Sequence, residues 1–259
     1  MQDGSFSSAG QRSIGGDVSQ FAADVLARLV SGATAAGCTP KEALVERLLD
    51  VVCSPEPCGF AALKPDLKRA RVTNAALADV YIPEVARRLG VAWDEDRVSF
   101  TVVTIGVARL QAILREIGAN WIANETAPGE IATVLLILPA TEQHTLGAFV
   151  IAGWLRRNGI SVRLCIAPSV ADLAELLAIR RFDAAMISVA TEDKLELCAS
   201  LIKTLKSEST NSLRVAVGGA VLAQGHHVAR SIGADVVTND LTEAICALGL
   251  TLPRTETVG

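Results

Sequence analysis

Apolar residues recur at helical spacing through the first half of the chain, up to about residue 123. Phe21, Val25 and Leu29 fall on one face of the first predicted helix, because positions three and four apart share a face at helical periodicity. The same spacing predicts four helical spans: 18–30, a span that begins at Pro40, 66–89 and 95–122. Consecutive amphipathic helices bury their apolar faces against one another, so the pattern predicts a small antiparallel helical bundle over 17–123.

Proline and glycine residues predict where these helices stop. The prolines and the glycine between Ser54 and Pro65 indicate a loop. Pro83 is predicted to kink or divide the third span, because proline lacks the N–H that bonds to the preceding turn, and Gly90 is predicted to end it. The segment 124–130, Asn-Glu-Thr-Ala-Pro-Gly-Glu, is predicted to be a linker.

After residue 130 the pattern changes to short apolar runs that alternate with helical spans. Five runs are predicted to be strands: Ile131–Leu138, Ser161–Ile166, Ala184–Val189, Arg214–Val217 and Asp235–Val237. The helices between them are predicted to begin near Thr145, Val170, Glu192 and Leu222, and a last one at Leu241. Such alternation gives a parallel sheet with helices on both faces, and nearly continuous apolar strands are typical of a sheet covered on both sides. The predicted fold class is α/β: a helical bundle, then a Rossmann-like (flavodoxin-like) five-stranded parallel domain over 131–250.

Composition and charge exclude some classes of function. The chain of 259 residues is half apolar, which is enough for a packed core, and its formal net charge of −4 gives no basic face for extensive nucleic-acid binding. A small basic cluster around Lys68 and Arg69 leaves a local DNA contact open. Segments 1–16 and 251–259 are predicted to be tails, and no apolar run approaches the roughly 20 residues of a membrane helix. With six scattered cysteines and no signal peptide, we expect a cytoplasmic protein without membrane contact.

Three short motifs follow predicted strands. Glu-Gln-His-Thr-Leu-Gly at 142–147 follows the first strand, Ser-Val-Ala at 188–190 ends the third, and Gly-Gly at 218–219 follows the fourth. Forty residues, 148–187, separate the first two motifs, and twenty-seven, 191–217, separate the last two. Because parallel strands end at one edge, we expect all three motifs on the same rim of the sheet, where open α/β sheets bind ligands.

A histidine on such a turn is suited to binding a metal. His144 is one of only three histidines in the chain. Its neutral imidazole is a good ligand for a borderline transition metal, and the Glu142 carboxylate can accept a hydrogen bond from the other ring nitrogen, which fixes the tautomer.

Taken together, the motifs resemble the cobalamin-binding domain family, whose pattern is Asp-x-His-x-x-Gly, then Ser-x-Leu, then Gly-Gly at matching separations. The resemblance implies that cobalamin is the cofactor and that His144 replaces its nucleotide base as the lower ligand of cobalt. It also implies that the displaced nucleotide tail enters a slot beside the sheet, where the Ser188 hydroxyl bonds the base and the glycine pair lets the backbone approach the tail. Glu142 stands where the family has aspartate, and Ala190 where it has leucine.

The resemblance implies a set of positions that contact cobalamin, with His144 as the metal ligand. These positions are Trp93, Val103, Thr104, Glu142, Gln143, Thr145, Leu146, Gly147, Ser188, Val189, Ala190, Gly218, Gly219 and Asn239.

The bundle carries a second part of the resemblance. Leu89–Trp93 is similar to the stretch that, in cobalamin proteins with a helical cap, places a tryptophan over the upper face of the corrin. In photosensors of the CarH type a histidine follows that tryptophan, and a Glu-His pair comes further along the chain. Here Asp94 follows Trp93, and Val103 and Thr104 stand in place of the pair, so we expect an upper face without those histidines.

Within this family the chain resembles the AerR/PpaA group of regulators from purple photosynthetic bacteria. The resemblance rests on residues 93–111, on 142–147 and on Leu-Arg-Arg-x-Gly at 155–159. It implies a cobalamin-binding, light-responsive antirepressor that antagonises a CrtJ/PpsR-type transcriptional repressor and so controls photosystem genes by light and oxygen. Nothing in the sequence resembles a nucleophile–base pair, and we expect a protein that is not an enzyme.

Two alternatives stay open at this point. A corrinoid methyl-carrier protein of a methyltransferase system shares the bundle and the motifs. A haem-binding regulator on the same fold is the other, since His144 is also a suitable ligand for iron. His226 and His227, after the glycine pair, are interpreted as solvated, because adjacent residues of a helix point apart.

Overall fold

The computed structural model describes residues 39–55, 59–122, 132–140, 142, 145–209, 212–224 and 232–252. The predicted helix over 18–30, the linker 124–130 and His226–His227 lie outside the described residues. Within the described ranges, a helical part is followed by alternating strands and helices, in the order that the sequence predicted.

In the described residues, four long helices form the N-terminal part: α1 (Glu42–Cys53), α2 (Gly59–Arg69), α3 (Ile82–Asp94) and α4 (Phe100–Ile122). α4 packs on both α1 and α3. Leu48, Leu89 and Leu110, one from each of these helices, are fully buried in a common core. These helices therefore pack around a common hydrophobic core.

The loop predicted over 54–65 is wrong in its second half, because α2 begins at Gly59 and runs through Pro65. Leu63 and Leu67, four residues apart, are buried in the bundle core, and their packing outweighs the hydrogen bond that Pro65 cannot donate. Gly59 lets α2 approach α1, since a Cβ here would lie 2.4 Å from Cγ1 of Val51. The helical spacing of buried leucines decides the structure here, and the number of prolines does not.

The third predicted span, 66–89, is divided, but not at Pro83. The break comes at 70–73, where Arg71 has a positive φ of 58°. Thr73 then caps a short helical turn, Asn74–Ala76, with its side chain. The chain continues from this turn towards α3 without another break in helical geometry.

Pro83 changes the type of helix instead of ending it. It is the second residue of α3 and comes directly after a π-helical segment, Leu77–Tyr81. A proline ring crowds the carbonyl four residues earlier, which here belongs to Asp79. The wider π turn makes room for the ring and lets the helix go on.

Gly90 does not end α3, which continues to Asp94. Gly90 is buried inside the helix and does not end it. A short turn follows, and α4 begins at Phe100 rather than at Glu95 as predicted. This turn brings Trp93 and Phe100 together, with their ring centroids 6.0 Å apart.

The C-terminal part is a five-stranded, wholly parallel sheet, which confirms the predicted fold class. Its strands are β1 (Ala132–Leu138), β2 (Ile160–Ile166), β3 (Ala184–Ser188), β4 (Arg214–Gly218) and β5 (Val236–Val237). The order β2-β1-β3-β4-β5 is that of flavodoxin-like sheets, and the winding direction changes between β1 and β3.

Helices cover both faces of this sheet. α5 (Leu146–Arg157) and α8 (Leu241–Ala247) pack on one face, and α6 (Val170–Ile179) and α7 (Leu195–Glu208) on the other. Near Glu192 and Leu222, where helices were predicted to begin, the structure has 3₁₀ turns, Glu192–Lys194 before α7 and Ala220–Gln224 after β4. None of the helices within the described ranges has the length and apolar character needed to cross a membrane.

α5 lies between the sheet and the bundle. Its Leu155 is buried against the sheet, whereas Leu146 and Val150 are buried in the bundle core. At the other end of α5, Arg157 forms an ion pair with Asp79 of the π-helical segment, and both side chains are largely buried. α5 is therefore the element that joins the two predicted domains.

Candidate functional site

The carboxyl ends of β1, β3 and β4 bring the three sequence motifs to one rim of the sheet. Ser188 at the end of β3 pairs with Gly218 at the end of β4, and β1 is the other neighbour of β3. This rim includes the point where the winding direction changes, which is where open α/β sheets bind ligands. Gln143–His144 lies outside the described residues, but Glu142 and Thr145 on either side of it are described.

Glu142 is buried at the rim, with its side chain only 1% exposed. Its Oε2 atom accepts a hydrogen bond from the Ala190 N–H at 2.9 Å. Lys194 Nζ lies 3.9 Å from the same oxygen, and the lysine side chain is 12% exposed. Glu142 therefore ties the turn after β1 to the turn after β3. The hydrogen bond from His144 to Glu142 stays a prediction.

The glycine pair is required by the protein backbone itself. Gly219 has a φ of 120°, and a Cβ at this position would lie 2.1 Å from the carbonyl oxygen of Val189. A Cβ on Gly218 would lie 2.7 Å from the carbonyl oxygen of Thr238. The sequence suggested another reason for these glycines, the approach of a bound nucleotide tail. The structure shows that the crowded ends of β3, β4 and β5 already demand them.

Asn239 fixes the glycine turn from the end of β5. Its Oδ1 accepts a hydrogen bond from the Gly219 N–H at 2.7 Å, and its Nδ2 donates to the Gly219 carbonyl oxygen at 3.2 Å. One amide side chain thus satisfies both polar groups of the Gly219 backbone. Asn239 supports the shape of the site through these two bonds, and its contact with cobalamin stays a prediction.

A cavity of about 40 Å³ lies between the sheet and the two helices α5 and α8. Most of its lining is apolar: Leu136, Ile151, Met186, Ala216, Leu241 and Ala244. Ser188, Gly218 and Gly219 line its edge at the rim, where Thr238 and Asp240 add polar atoms. Its position and lining correspond to the slot that the sequence motifs implied beside the sheet.

The structure divides the Ser-Val-Ala motif between two faces of the sheet. Ser188 lines the cavity and is half-buried. Val189 is fully buried in the core on the α6–α7 side, because successive side chains of a strand point to opposite faces. Ala190 donates its N–H to Glu142. The motif therefore contributes one side chain to the cavity and one backbone group to the turn after β1.

Apolar side chains lie at the end of the bundle where α3 turns into α4. Trp93 is half-buried against Phe100, and Phe100 and Ile105 are 65% and 45% exposed. Val103 is half-buried, and the Thr104 hydroxyl donates to the Phe100 carbonyl oxygen at 2.9 Å. Trp93 and Phe100 therefore form a partly exposed aromatic pair at this end of the bundle.

A hydrogen bond joins the bundle to the turn that carries His144. Gln111 Nε2 of α4 donates to Thr145 Oγ1 at 2.7 Å. Leu146, the first residue of α5, is buried in the bundle core, and Gly147 after it is half-buried. The bundle therefore contacts the rim of the sheet directly, next to the predicted metal ligand.

Sequence reasoning missed Gln111 and Lys194 as parts of the site. Gln111 follows Leu110, which is buried in the bundle core, and the sequence does not distinguish it from other polar residues beside an apolar stripe. Lys194 comes just before α7, at the positive end of that helix dipole, where acidic residues are favoured. The sequence alone does not identify the partner of this lysine.

Comparison with known proteins agrees with this geometry. A family model described as "B12 binding domain" matches residues 132–249. A Rhodobacter capsulatus relative, "Uncharacterized 20.5 kDa protein in bchF-crtJ intergenic region", is 46% identical over 185 residues, which span 71% of this chain and 96% of the relative. The monomethylamine corrinoid protein of Methanosarcina barkeri superposes with a TM-score of 0.64 at 15% identity, covering 81% of this chain and 99% of that one. This last likeness is one of fold.

Proposed function

This chain belongs to the B12-binding domain family, in the AerR/PpaA-type group of cobalamin-binding proteins, and we propose that it is a light-responsive antirepressor of a CrtJ/PpsR-type transcriptional repressor. Its cofactor is cobalamin, which sets the haem alternative aside. The Rhodobacter capsulatus relative is named for a position beside crtJ, and this supports the link to that repressor. On this proposal the protein catalyses no reaction and acts in the cytoplasm, where its partner meets DNA.

The residues at the rim fit cobalamin in chemistry. The apolar cavity with the Ser188 hydroxyl at its edge suits a buried nucleotide base. Its volume of about 40 Å³ corresponds to roughly three waters, which is less than a base occupies. The side chains that line the cavity therefore have to move apart when the base enters. Of the two helices that form its walls, α8 is the shorter, with seven residues.

The residues of the chain then have separate roles in binding the cofactor. His144 would bind cobalt from below, on a turn that Glu142 fixes to the end of β3. Trp93 and Phe100 would cover the upper face from the bundle. The chemistry that an alkylated cobalamin would supply at this site is a cobalt–carbon bond sensitive to visible light. The bundle and the rim are then the two surfaces that respond to the upper ligand.

The observation that carries the regulatory proposal is the hydrogen bond between Gln111 and Thr145. Thr145 follows His144 directly, so a displacement of this turn acts on α4 through one side-chain contact. One such bond contributes about 1 kcal/mol. A useful switch needs a coupling of only ~1–3 kcal/mol between cofactor state and partner binding, so this bond and the packing around it are of the right size.

Illumination of the cobalamin-loaded full chain tests the proposal. We expect corrin absorption bands that change with light, and a repressor affinity that changes at least about fivefold between dark and illuminated samples. An unchanged repressor affinity would contradict the antirepressor function. Transfer of a methyl group to the bound cofactor by a substrate methyltransferase would instead support the methyl carrier.

Gln111→Leu is expected to weaken the coupling between the helical bundle and the turn after β1. Leucine keeps the size of the side chain and removes the donor to Thr145, so we expect cobalamin affinity within about threefold of wild type but a light effect on repressor affinity reduced to less than about half. The dissociation constant for the repressor, measured in the dark and in the light, gives the size of the light effect. Arg115→Leu, an exposed position on the same helix, is the matched control and should leave the light effect intact. Equal light effects in the two variants would refute the role of Gln111.

A further inference from the structure

We infer that Lys194 is a positioning residue for the turn that carries His144, because it holds the buried Glu142 carboxylate, and with it this turn, against the end of β3. The inference rests on cobalamin ligation by His144, which is part of the proposed function. It does not depend on the repressor.

Glu142 is the residue that both Ala190 and Lys194 contact. A carboxylate whose side chain is 1% exposed requires hydrogen bonds and an opposite charge to remain buried. The Ala190 N–H supplies the hydrogen bond at 2.9 Å, and Lys194 Nζ supplies the charge at 3.9 Å from the same oxygen. Both partners belong to the segment between β3 and α7, and both contact the same carboxylate oxygen, Oε2.

The length of the Glu142 side chain makes this contact possible. A glutamate side chain carries its carboxylate on two methylene groups, which extend it away from the backbone at the end of β1. In this chain that extension is used to reach across from the end of β1 to the backbone of Ala190. Glutamate at 142 and lysine at 194 are therefore parts of the same contact.

The surroundings of Lys194 identify Glu142 as its anion. Cys198, one turn further along α7, is fully buried, and burial together with the Glu142 charge raises the pKa of its thiol to about 12. Cys198 is thus neutral at pH 7. Glu192 and Asp193, beside Lys194 in the sequence, are exposed. The ammonium group of Lys194 faces the one buried carboxylate described at this rim.

Lys194→Met tests the inference, because methionine keeps an unbranched apolar stem and removes the charge. In the cobalamin-loaded full chain we expect a dissociation constant for cobalamin about 10–100-fold higher than in wild type. We also expect a smaller fraction of the cobalt(II) form to show the electron paramagnetic resonance splitting of an axial histidine nitrogen, which is recognised by its change when the histidines of the protein are labelled with ¹⁵N. Lys194→Arg should restore most of the cobalamin affinity and most of the nitrogen splitting. Lys203→Met, an exposed lysine on α7, is the matched control and should change neither.

A second variant separates positioning from a general loss of folding. Glu142→Gln keeps an oxygen for the Ala190 N–H and removes the charge that Lys194 opposes. In that background Lys194→Met should change cobalamin affinity by less than about twofold, because the two side chains act as a pair. An equal effect of Lys194→Met in both backgrounds, whether large or small, would overturn the inference.

The outcomes distinguish this inference from the proposed function. If the wild-type protein binds cobalamin without the nitrogen splitting, His144 is not the ligand, and both the ligand assignment and the role of Lys194 fail. If the wild-type protein shows the splitting and Lys194→Met behaves as Lys203→Met does, only the role of Lys194 fails.

Discussion

Gly219→Ala is expected to disrupt the rim of the sheet and to abolish cobalamin binding, with a loss of about 2–6 kcal/mol in the free energy of unfolding. Two costs add in this variant. Alanine rarely adopts a φ of 120°, and its Cβ would lie 2.1 Å from the carbonyl oxygen and 2.7 Å from the amide nitrogen of Val189. Backbone atoms cannot rotate away as a side chain can, so the end of β3 has to move.

The bonds that would be lost show why binding should fail as well. The Val189 N–H donates to the Gly218 carbonyl oxygen at 2.9 Å, and the Val189 carbonyl oxygen accepts from Val221 at 3.2 Å. These bonds hold Ser188 and the glycine turn in place around the cavity. Urea unfolding of the apo protein and titration with cobalamin measure the two effects separately.

Gly249→Ala is the matched control for this prediction. Gly249 also has a positive φ, 76°, but a Cβ there would meet no atom within 4 Å. We expect a loss of about 1 kcal/mol from backbone strain alone, and cobalamin affinity equal to that of wild type. Equal losses of stability in the two variants would show that the contact with Val189 is not the cause.

The sequence predicts the sheet well, because its strands are covered on both faces. A strand buried on both sides is a continuous apolar run, and each predicted strand that the structure describes agrees to within one residue at its ends, as with Ser161 for Ile160 and Val189 for Ser188. The position of the motifs on one rim could be predicted from the same strands, because parallel strands end at one edge of the sheet. This is why Ser188 and Gly218 could be placed on the same rim from the sequence, and the structure shows that they are direct neighbours there.

The helical bundle and the contacts across the site are less predictable, because they depend on tertiary packing. Proline and glycine indicate breaks in a helix, but buried leucines carry α2 through Pro65, and a π turn accommodates Pro83. Gln111 and Lys194 contact residues far away in the sequence. No local pattern specifies such pairs, because the two partners meet only when the whole chain folds.

The bundle is attached to α5 at both ends of that helix. Gln111 bonds Thr145 just before its first residue, and Asp79 pairs with Arg157 at its last. The 12 residues of α5 separate these contacts by about 18 Å. The bundle is therefore held to α5 by a hydrogen bond at one end of this helix and by an ion pair at the other.

Arg157→Met is expected to cost about 3–5 kcal/mol of stability near pH 7, because it leaves the Asp79 carboxylate buried without its ion-pair partner. The Arg157 and Asp79 side chains are only 14% and 15% exposed. Burial raises the pKa of Asp79, and the Arg157 guanidinium offsets this only in part. Without arginine, the bundle should also lose its fixed end on α5, and limited proteolysis between the two domains should become faster.

The dependence on pH distinguishes this cause from a simple loss of packing. An acid whose folded-state pKa lies above its unfolded value contributes stability that is fully present below the unfolded pKa and is lost as the pH rises through the folded pKa. Removing Arg157 raises the folded-state pKa of Asp79 further, so the penalty should be full near pH 7 and should shrink towards about pH 4, where Asp79 is protonated. The double variant Asp79→Leu with Arg157→Met removes both charges and should lie within about 1 kcal/mol of wild type, with no such dependence on pH. If Arg157→Met loses the same stability at both pH values, the uncompensated charge of Asp79 is not the reason.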